Sequence, residues 1–359
     1  MRRPLTPLWL AAPSRLATVS QPAARGILAV LALILLATFA ALSVPALQTD
    51  YGLYAAIVEG VRHGGNYYAV AADALRASGY PLAPFVAFRL PTLAVIEAAL
   101  PSIAVMAIFY LLAAAVAVAL YDRVRPALRT RAARTVAAVL LVASLAPILT
   151  PSIATLPESW AGLLVAMSLA VRKPGRYVEA IALGLAAVTI RETAALYLVV
   201  MAVFAGVERQ RREALGWVSA LGVLGVLMLA HAHAVAEVVK PLDGAASDWA
   251  GLLGFGAFVS AGASVTGLAW LPLWIGAPVV GLALFGWATW RDPVAARVLA
   301  TIVLTASMIA VFGQPDTPHW ALLVSPFLLL GLAFAPDGLR DLGGAALDTR
   351  RITVTRVIR

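Results

Sequence analysis

Stretches of about 20 apolar residues, each long enough to cross a bilayer as a helix, recur along this chain from residue 26 to residue 334. No polar stretch of domain size separates them. A helix that is apolar on every face has no stable place at a water-facing surface, so repeated runs of this kind require lipid around them. Composition agrees: 62% of the 359 residues are hydrophobic and 13% charged, against about 45–50% apolar in soluble domains. A soluble fold is excluded. The expected fold is all-α, a polytopic transmembrane bundle of about ten helices near 26–45, 100–121, 135–150, 158–171, 177–190, 193–207, 214–236, 266–290, 297–312 and 320–335. The chain divides into an N-terminal segment 1–25, one membrane domain 26–335 and a basic tail 336–359. The first apolar run follows Arg2, Arg3, Arg15 and Arg25, exceeds the length of a signal-peptide core and lacks a small-residue cleavage site, so it reads as a retained first helix.

Charge assigns the sides. With ten spans, the segments sharing the N-terminal side carry 22 Lys and Arg, and the opposite side carries only Arg62, Arg76, Arg89, Arg191 and Lys240. The positive-inside rule then places both termini in the cytoplasm of a bacterial inner membrane. Ten of the 18 acids and all four histidines fall on the outer side, which receives two long loops, about 46–99 and 237–265. The net charge of +9 is divided among short clusters between apolar runs, a pattern that suits anionic lipid headgroups and not nucleic acid. The absence of cysteine excludes disulfides, thiolate metal sites and cysteine nucleophiles. No P-loop or dinucleotide fingerprint is present.

The first outer, periplasmic loop begins Thr49-Asp50-Tyr51. Leu53, Ile57 and Val61 then recur at helical spacing up to Gly64-Gly65, which predicts an amphipathic helix on the membrane surface. Asp50 has two readings: a helix cap, favoured by the helix dipole, or a functional carboxylate placed where the chain leaves the bilayer. The rest of the loop is dense in aromatic, Gly and Pro residues, including Tyr67, Tyr68 and the Phe88-Arg89-Leu90-Pro91 segment, and loops this long are functional more often than idle.

Apolar runs at 177–190 and 193–206 flank Arg191-Glu192. Each is 14 residues and spans about 21 Å, short of the roughly 30 Å hydrocarbon core, so both charges lie deep unless water reaches them. Charges at that depth are paired, or line a cavity. The pair is either a tether between helices or the wall of an outward-opening cavity in which Arg191 holds a phosphate. Glu158, after Pro157 at the head of another short run, fits the second reading. His231 and His233 project about 200° apart on a helix and do not form a metal pair.

These segments resemble the GT-C superfamily of integral-membrane glycosyltransferases, which take a sugar from a polyprenyl-phosphate donor on the periplasmic face. The resemblance covers most of the chain as architecture and a few segments as motif. Thr49-Asp50-Tyr51 through Gly65 looks like the family's first outer loop with its catalytic acid. The stretch from Gly184 through Thr189-Ile190-Arg191-Glu192-Thr193 is similar to a recurrent helix turn, with an isoleucine interposed. Many members carry two neighbouring acids at the first-loop site; here Tyr51 follows Asp50, and Glu158, Glu192 or Asp316 is left to act as the partner. The resemblance implies Asp50 as general base, Arg191 and Arg89 as donor-phosphate ligands, and Glu158, Glu192, Asp316 and His319 as positioning or acceptor-binding groups. Tyr51, Tyr67, Tyr68 and Trp320 are candidates to stack on sugar faces, although aromatics at this depth also serve as interface anchors. The outer acids are of the type that binds Mg²⁺ or Mn²⁺ but show no spaced ligand motif. Two other classes carry similar features: a transporter or flippase, which also recesses charges, and a non-catalytic subunit of an envelope-polymer assembly.

Overall fold

The computed structural model describes residues 6–43, 51–244, 251–314 and 317–348. The described residues contain helices and turns with no strand beyond isolated bridges. Among the described residues five helical segments are long and apolar enough to cross a membrane: Gln21–Ser43, Ser102–Ala127, Arg131–Leu149, Arg211–Val238 and Pro293–Phe312. Their apolar side chains stay largely uncovered by protein, Ile103 at 82% and Leu111 at 70% exposure, as lipid-facing surface requires. The chain is a multi-pass membrane protein.

Within these segments run α1 (Gln21–Thr38), α5 (Ser102–Val124), α6 (Arg131–Leu145), α10 (Arg211–Val238) and α13 (Pro293–Phe312). Local sequence sets their starts. Thr130 accepts the backbone N–H of Ala133 at the head of α6, and Asp292 accepts that of Val294 ahead of α13, where Pro293 occupies the first helical position. The shorter apolar helices α7 (Pro157–Val171), α8 (Val178–Ile190), α9 (Ala195–Val207) and α12 (Leu273–Thr289) pack against them, α7 on α5, α8 and α9 on α10, and α12 on α1 and α13. Twelve of the 15 residues of α7 are buried, so whatever stands at its head is carried into the protein interior.

The segment between α1 and α5 contains α2 (Tyr51–Arg62), the expected amphipathic helix, followed by α3 (Tyr67–Ala77) and α4 (Thr92–Ala99). Asn66 caps α3 by accepting from Tyr68 and Ala69, and Gly79, at φ +71°, turns the chain out of it.

Three stretches depart from the sequence reading. The segment read as loop 237–265 contains α11 (Gly254–Ser264), and the helix expected at 266–290 is interrupted by the 3-10 turn Gly267–Trp270 before α12. Thr266 accepts the N–H of Leu268, and Pro272 cannot continue a helix begun upstream. The expected helix at 320–335 is a buried chain of short pieces: a 3-10 turn Pro318–Leu323, α14 (Ser325–Leu328) and a second 3-10 turn Leu329–Ala333. Irregular backbone inside a membrane protein survives where neighbouring groups satisfy it. Ser144 accepts the Leu329 N–H at 3.1 Å, Trp287 donates to the Phe327 carbonyl at 3.1 Å and Thr289 to that of Phe334 at 3.0 Å. Gly286 and Gly331 make the backbone approach between α12 and this segment possible, since a Cβ on either would meet a carbonyl oxygen of the other element. The tail read as beginning at 336 starts instead as an amphipathic helix, α15 (Ala335–Ala346), packed on α1 and α12.

The basic segments gather at one end of the bundle. Asp337 of α15 accepts the backbone N–H groups of Leu8, Trp9 and Leu10 at 2.6–2.9 Å, and Asp341 accepts from Ser14 at 2.6 Å. The Arg129 N–H meets the Trp9 carbonyl, Arg123 pairs with Asp292 at 2.7 Å, and Arg291 donates to the Ser14 carbonyl. Buried Arg172 and Glu213 form a bidentate pair at 2.8–2.9 Å, and Arg297 donates to Glu208 at 2.7 Å. These contacts join the N-terminal segment, the α5–α6, α7–α8, α9–α10 and α12–α13 connections and α15 at one end. The opposite end holds α2 to α4, the 3-10 turn Pro151–Thr155, the head of α7, the break between α8 and α9 and the close of α10, where Arg76 clamps Asp243 at 2.8 Å.

Candidate functional site

At that second end a charged cluster is buried around the head of α7. Pro157 starts the helix and puts Glu158 in its first turn, fully buried. Across from it α8 stops at Ile190, Arg191 takes an extended conformation (φ −140°, ψ 109°), and a 3-10 turn Glu192–Ala194 leads into α9. Helices of 13 residues on either side are too short to carry Arg191 to a membrane surface, so its guanidinium turns inward. Its Nε stands 2.6 Å from Glu158 Oε1, and another of its nitrogens pairs with the Glu192 carboxylate. Arg89, from the segment before α4, brings its Nε to 4.0 Å from the same Glu158 oxygen, and His319 brings Nε2 to 3.7 Å. Trp320 faces Arg191 with its ring centroid 5.8 Å from the guanidinium carbon.

Among the described residues two guanidiniums thus meet two carboxylates, but the hydrogen bonding is incomplete. The Arg191–Glu158 contact is close yet out of line for a hydrogen bond. Both oxygens of Glu158, Nε of Arg191 and Arg89, Oε2 of Glu192, both ring nitrogens of His319 and the indole nitrogen of Trp320 are buried without a hydrogen-bond partner among the described residues. Buried polar atoms are nearly always satisfied in native proteins, and such a concentration marks a place where water or a polar ligand belongs.

The cluster adjoins a cavity of about 260 Å³. Leu53 and Ile57 of α2, Leu75 of α3, Phe88, and Leu93 of α4 give it apolar walls, and Arg89, His319, Trp320, Gln314 and Thr317 close one end. Arg89, His319 and Trp320 line the cavity directly; Arg191 and Glu158 stand behind them. Tyr67 lines it too and donates to the Arg89 carbonyl at 2.7 Å, fixing the backbone from which that guanidinium projects. The arrangement can hold an apolar chain with an anionic head.

Of the residues singled out in the sequence, Arg89, Glu158, Arg191, Glu192, His319, Trp320 and Tyr67 come together here. Asp50 and Asp316 lie outside the described residues. Tyr68 points elsewhere, its hydroxyl 3.1 Å from Nδ1 of His231, and Tyr51 does not line the cavity. His231 also approaches the Phe88 carbonyl, which gives it a packing role between α3, α10 and the cavity wall. Among the described residues no three His, Cys, Asp or Glu side chains converge as a metal site.

Two lining residues escaped the sequence reading. Tyr54 reaches Arg89 from α2. Glu97 of α4 is 5% exposed, and its Oε1 has no hydrogen-bond partner among the described residues. Burial pushes its carboxyl up to about 7, against the opposing pull of Arg62, whose guanidinium donates to the Glu97 carbonyl oxygen at 2.9 Å. The available signal was an acid within the apolar stretch Thr92–Ala99.

Comparison with protein-family models, with curated proteins and with solved structures finds no match to this chain.

Proposed function

We propose that the protein is a glycosyltransferase of the GT-C kind, moving a sugar from a polyprenyl-phosphate donor to a cell-envelope acceptor at the outer face of a bacterial inner membrane. The observation that carries this reading is the apolar cavity ending on Arg89, a half-buried cation whose Nε has no hydrogen-bond partner among the described residues, with buried Arg191 behind it. A polyprenyl chain fits apolar walls, and its phosphate supplies the acceptor oxygens that the Arg89 end lacks. The positive-inside distribution puts that end outside, and the ion pairs that tie the basic end together suit an enzyme that works from one face.

Arg89 is the phosphate ligand in this scheme. Arg191 acts behind it, holding Glu158 so that Arg89 and His319 keep their places while its own charge favours the departing phosphate. Asp50, at the entry to α2, takes the proton of the acceptor hydroxyl. Tyr54 and Tyr67 fix the approach to Arg89.

The test is transfer of label from radiolabelled polyprenyl-phosphate sugars to a membrane extract by the purified protein, beside Asp50→Asn. Label moves with the natural chain and not with the variant if the reading holds. Folded protein that moves no label from any donor refutes it.

A further inference from the structure

A second cavity, of about 210 Å³, lies on the other side of the wall formed by α2 and α4. It is lined by Ala55 and Arg62 of α2, Ser102 and Met106 of α5, and Ala154 of the turn Pro151–Thr155, among others. Val58, Glu97 and Thr155 line both cavities, so the two meet along one edge. The Glu97 carboxyl is the titratable group on that edge, and its Oε1 is buried without a hydrogen-bond partner among the described residues. The nearby charges compensate one another: Arg62 donates to Glu59 at 2.8 Å and to the Glu97 carbonyl at 2.9 Å. A glycosyl transfer has to hold a lipid donor and an acceptor with their reacting atoms close and oriented, which two cavities meeting along an edge can do. The first cavity is largely apolar and ends on a cation; the second is smaller, has hydroxyl and carboxyl groups on its wall, and among the described residues offers no spare cation for an anion.

We propose that the second cavity is the acceptor site, taking the hydroxyl-bearing end of a neutral glycan, and that Glu97 orients the acceptor hydroxyl across the shared edge. This rests on the glycosyl-transfer reading above. The acceptor oxygen bonds the anomeric carbon of the sugar, and the bond from that carbon to the phosphate oxygen breaks. Its electron pair leaves on the polyprenyl phosphate, and the hydroxyl proton passes to the general base and then to solvent. Glu97 accepts a hydrogen bond from the hydroxyl and is a positioning residue, which separates it from the base.

Binding and turnover test this separately. In ligand-observed NMR, neutral methyl glycosides of hexoses and pentoses are offered to the natural chain without donor, and to Glu97→Leu, Glu97→Gln and Ala55→Trp. The last fills the cavity from an exposed position on α2, where folding is not at stake. The expected result is binding by the natural chain, loss of about tenfold or more in Glu97→Leu and Ala55→Trp, and recovery to within about threefold in Glu97→Gln, whose amide oxygen still accepts. In the transfer assay the same two losses appear in the acceptor KM, with donor KM unmoved and kcat changed by less than about threefold. Equal glycoside binding by all four chains, or a fall in kcat without a change in acceptor KM, overturns the acceptor site. Failure of the natural chain to transfer label, with glycoside binding and its loss in the variants intact, overturns the glycosyltransferase reading and leaves the sugar-binding cavity standing.

Discussion

Replacing Glu158 with leucine is the sharpest test of the buried charge cluster. The carboxylate is fully buried and faces Arg191 at 2.6 Å, Arg89 at 4.0 Å and His319 at 3.7 Å. Leucine removes the carboxylate that all three share and, among the described residues, leaves Arg191 with Glu192. Breaking a buried ion pair from one side costs about 3–5 kcal/mol, because Arg89 and Arg191 are then left desolvated with the Glu192 carboxylate as their counter-charge among the described residues. At about 2 °C per kcal/mol for a chain of this size, the midpoint of thermal unfolding falls by about 6–10 °C. The assay is intrinsic tryptophan fluorescence of detergent-solubilised protein at one fixed scan rate, since unfolding of such proteins is commonly irreversible. Adding Arg191→Leu to Glu158→Leu removes the orphaned cation together with its partner, and the double variant then unfolds above the single one. A Glu158→Leu protein as stable as the natural chain, or a double variant whose loss is the sum of both singles, refutes the claim that this pair is energetically coupled.

The raised Glu97 carboxyl fixes a pH dependence. Its folded value of about 7 lies above the unfolded 4.5, so between these values the folded chain holds more protons and stability falls as pH rises, by about 3 kcal/mol in all. Glu97→Gln abolishes that slope and is the more stable protein at pH 8, as unfolding midpoints from pH 4.5 to 8 will show; parallel curves for the two chains contradict the assignment. Asp337→Asn weakens three hydrogen bonds to the N-terminal segment, costs about 2 kcal/mol and opens residues 8–10 to limited proteolysis. Gly286→Ala drives a methyl into the Gly331 carbonyl and destabilises the protein by about 1–3 kcal/mol, read as a lower unfolding midpoint; an unchanged midpoint means that α12 and the segment 329–333 do not approach this closely.

Much of the architecture was legible because its causes are local. Apolar run length dictates membrane spans, and the basic clusters predict which connections share an end, as the contacts of Asp337, Arg129 and Arg297 bear out. The depth of Arg191 and Glu158 followed from the shortness of the helices beside them. What hid from the sequence depends on partners distant in the chain. Residues 320–335 read as a helix because they are apolar, and they are irregular because Ser144, Trp287 and Thr289 supply the hydrogen bonds that let them be. Helix α11 hides in a stretch of Gly, Ala and Ser whose weak periodicity is outweighed by packing against α13. The order of the two arginines also needed the structure. Depth alone favoured Arg191 as the phosphate ligand, whereas the cavity wall presents Arg89. Glu97 was visible as an acid but not as a site, because only the fold shows that two cavities share it.

Equilibrium binding of a labelled polyprenyl phosphate, compared with the polyprenol that lacks the phosphate, tests the central claim most directly. The account predicts that the phosphate form binds at least about tenfold more tightly and that Arg89→Gln erases the difference while the polyprenol affinity stays the same. Equal binding of the two lipids by the natural chain, or an undiminished preference for the phosphate in Arg89→Gln, contradicts it.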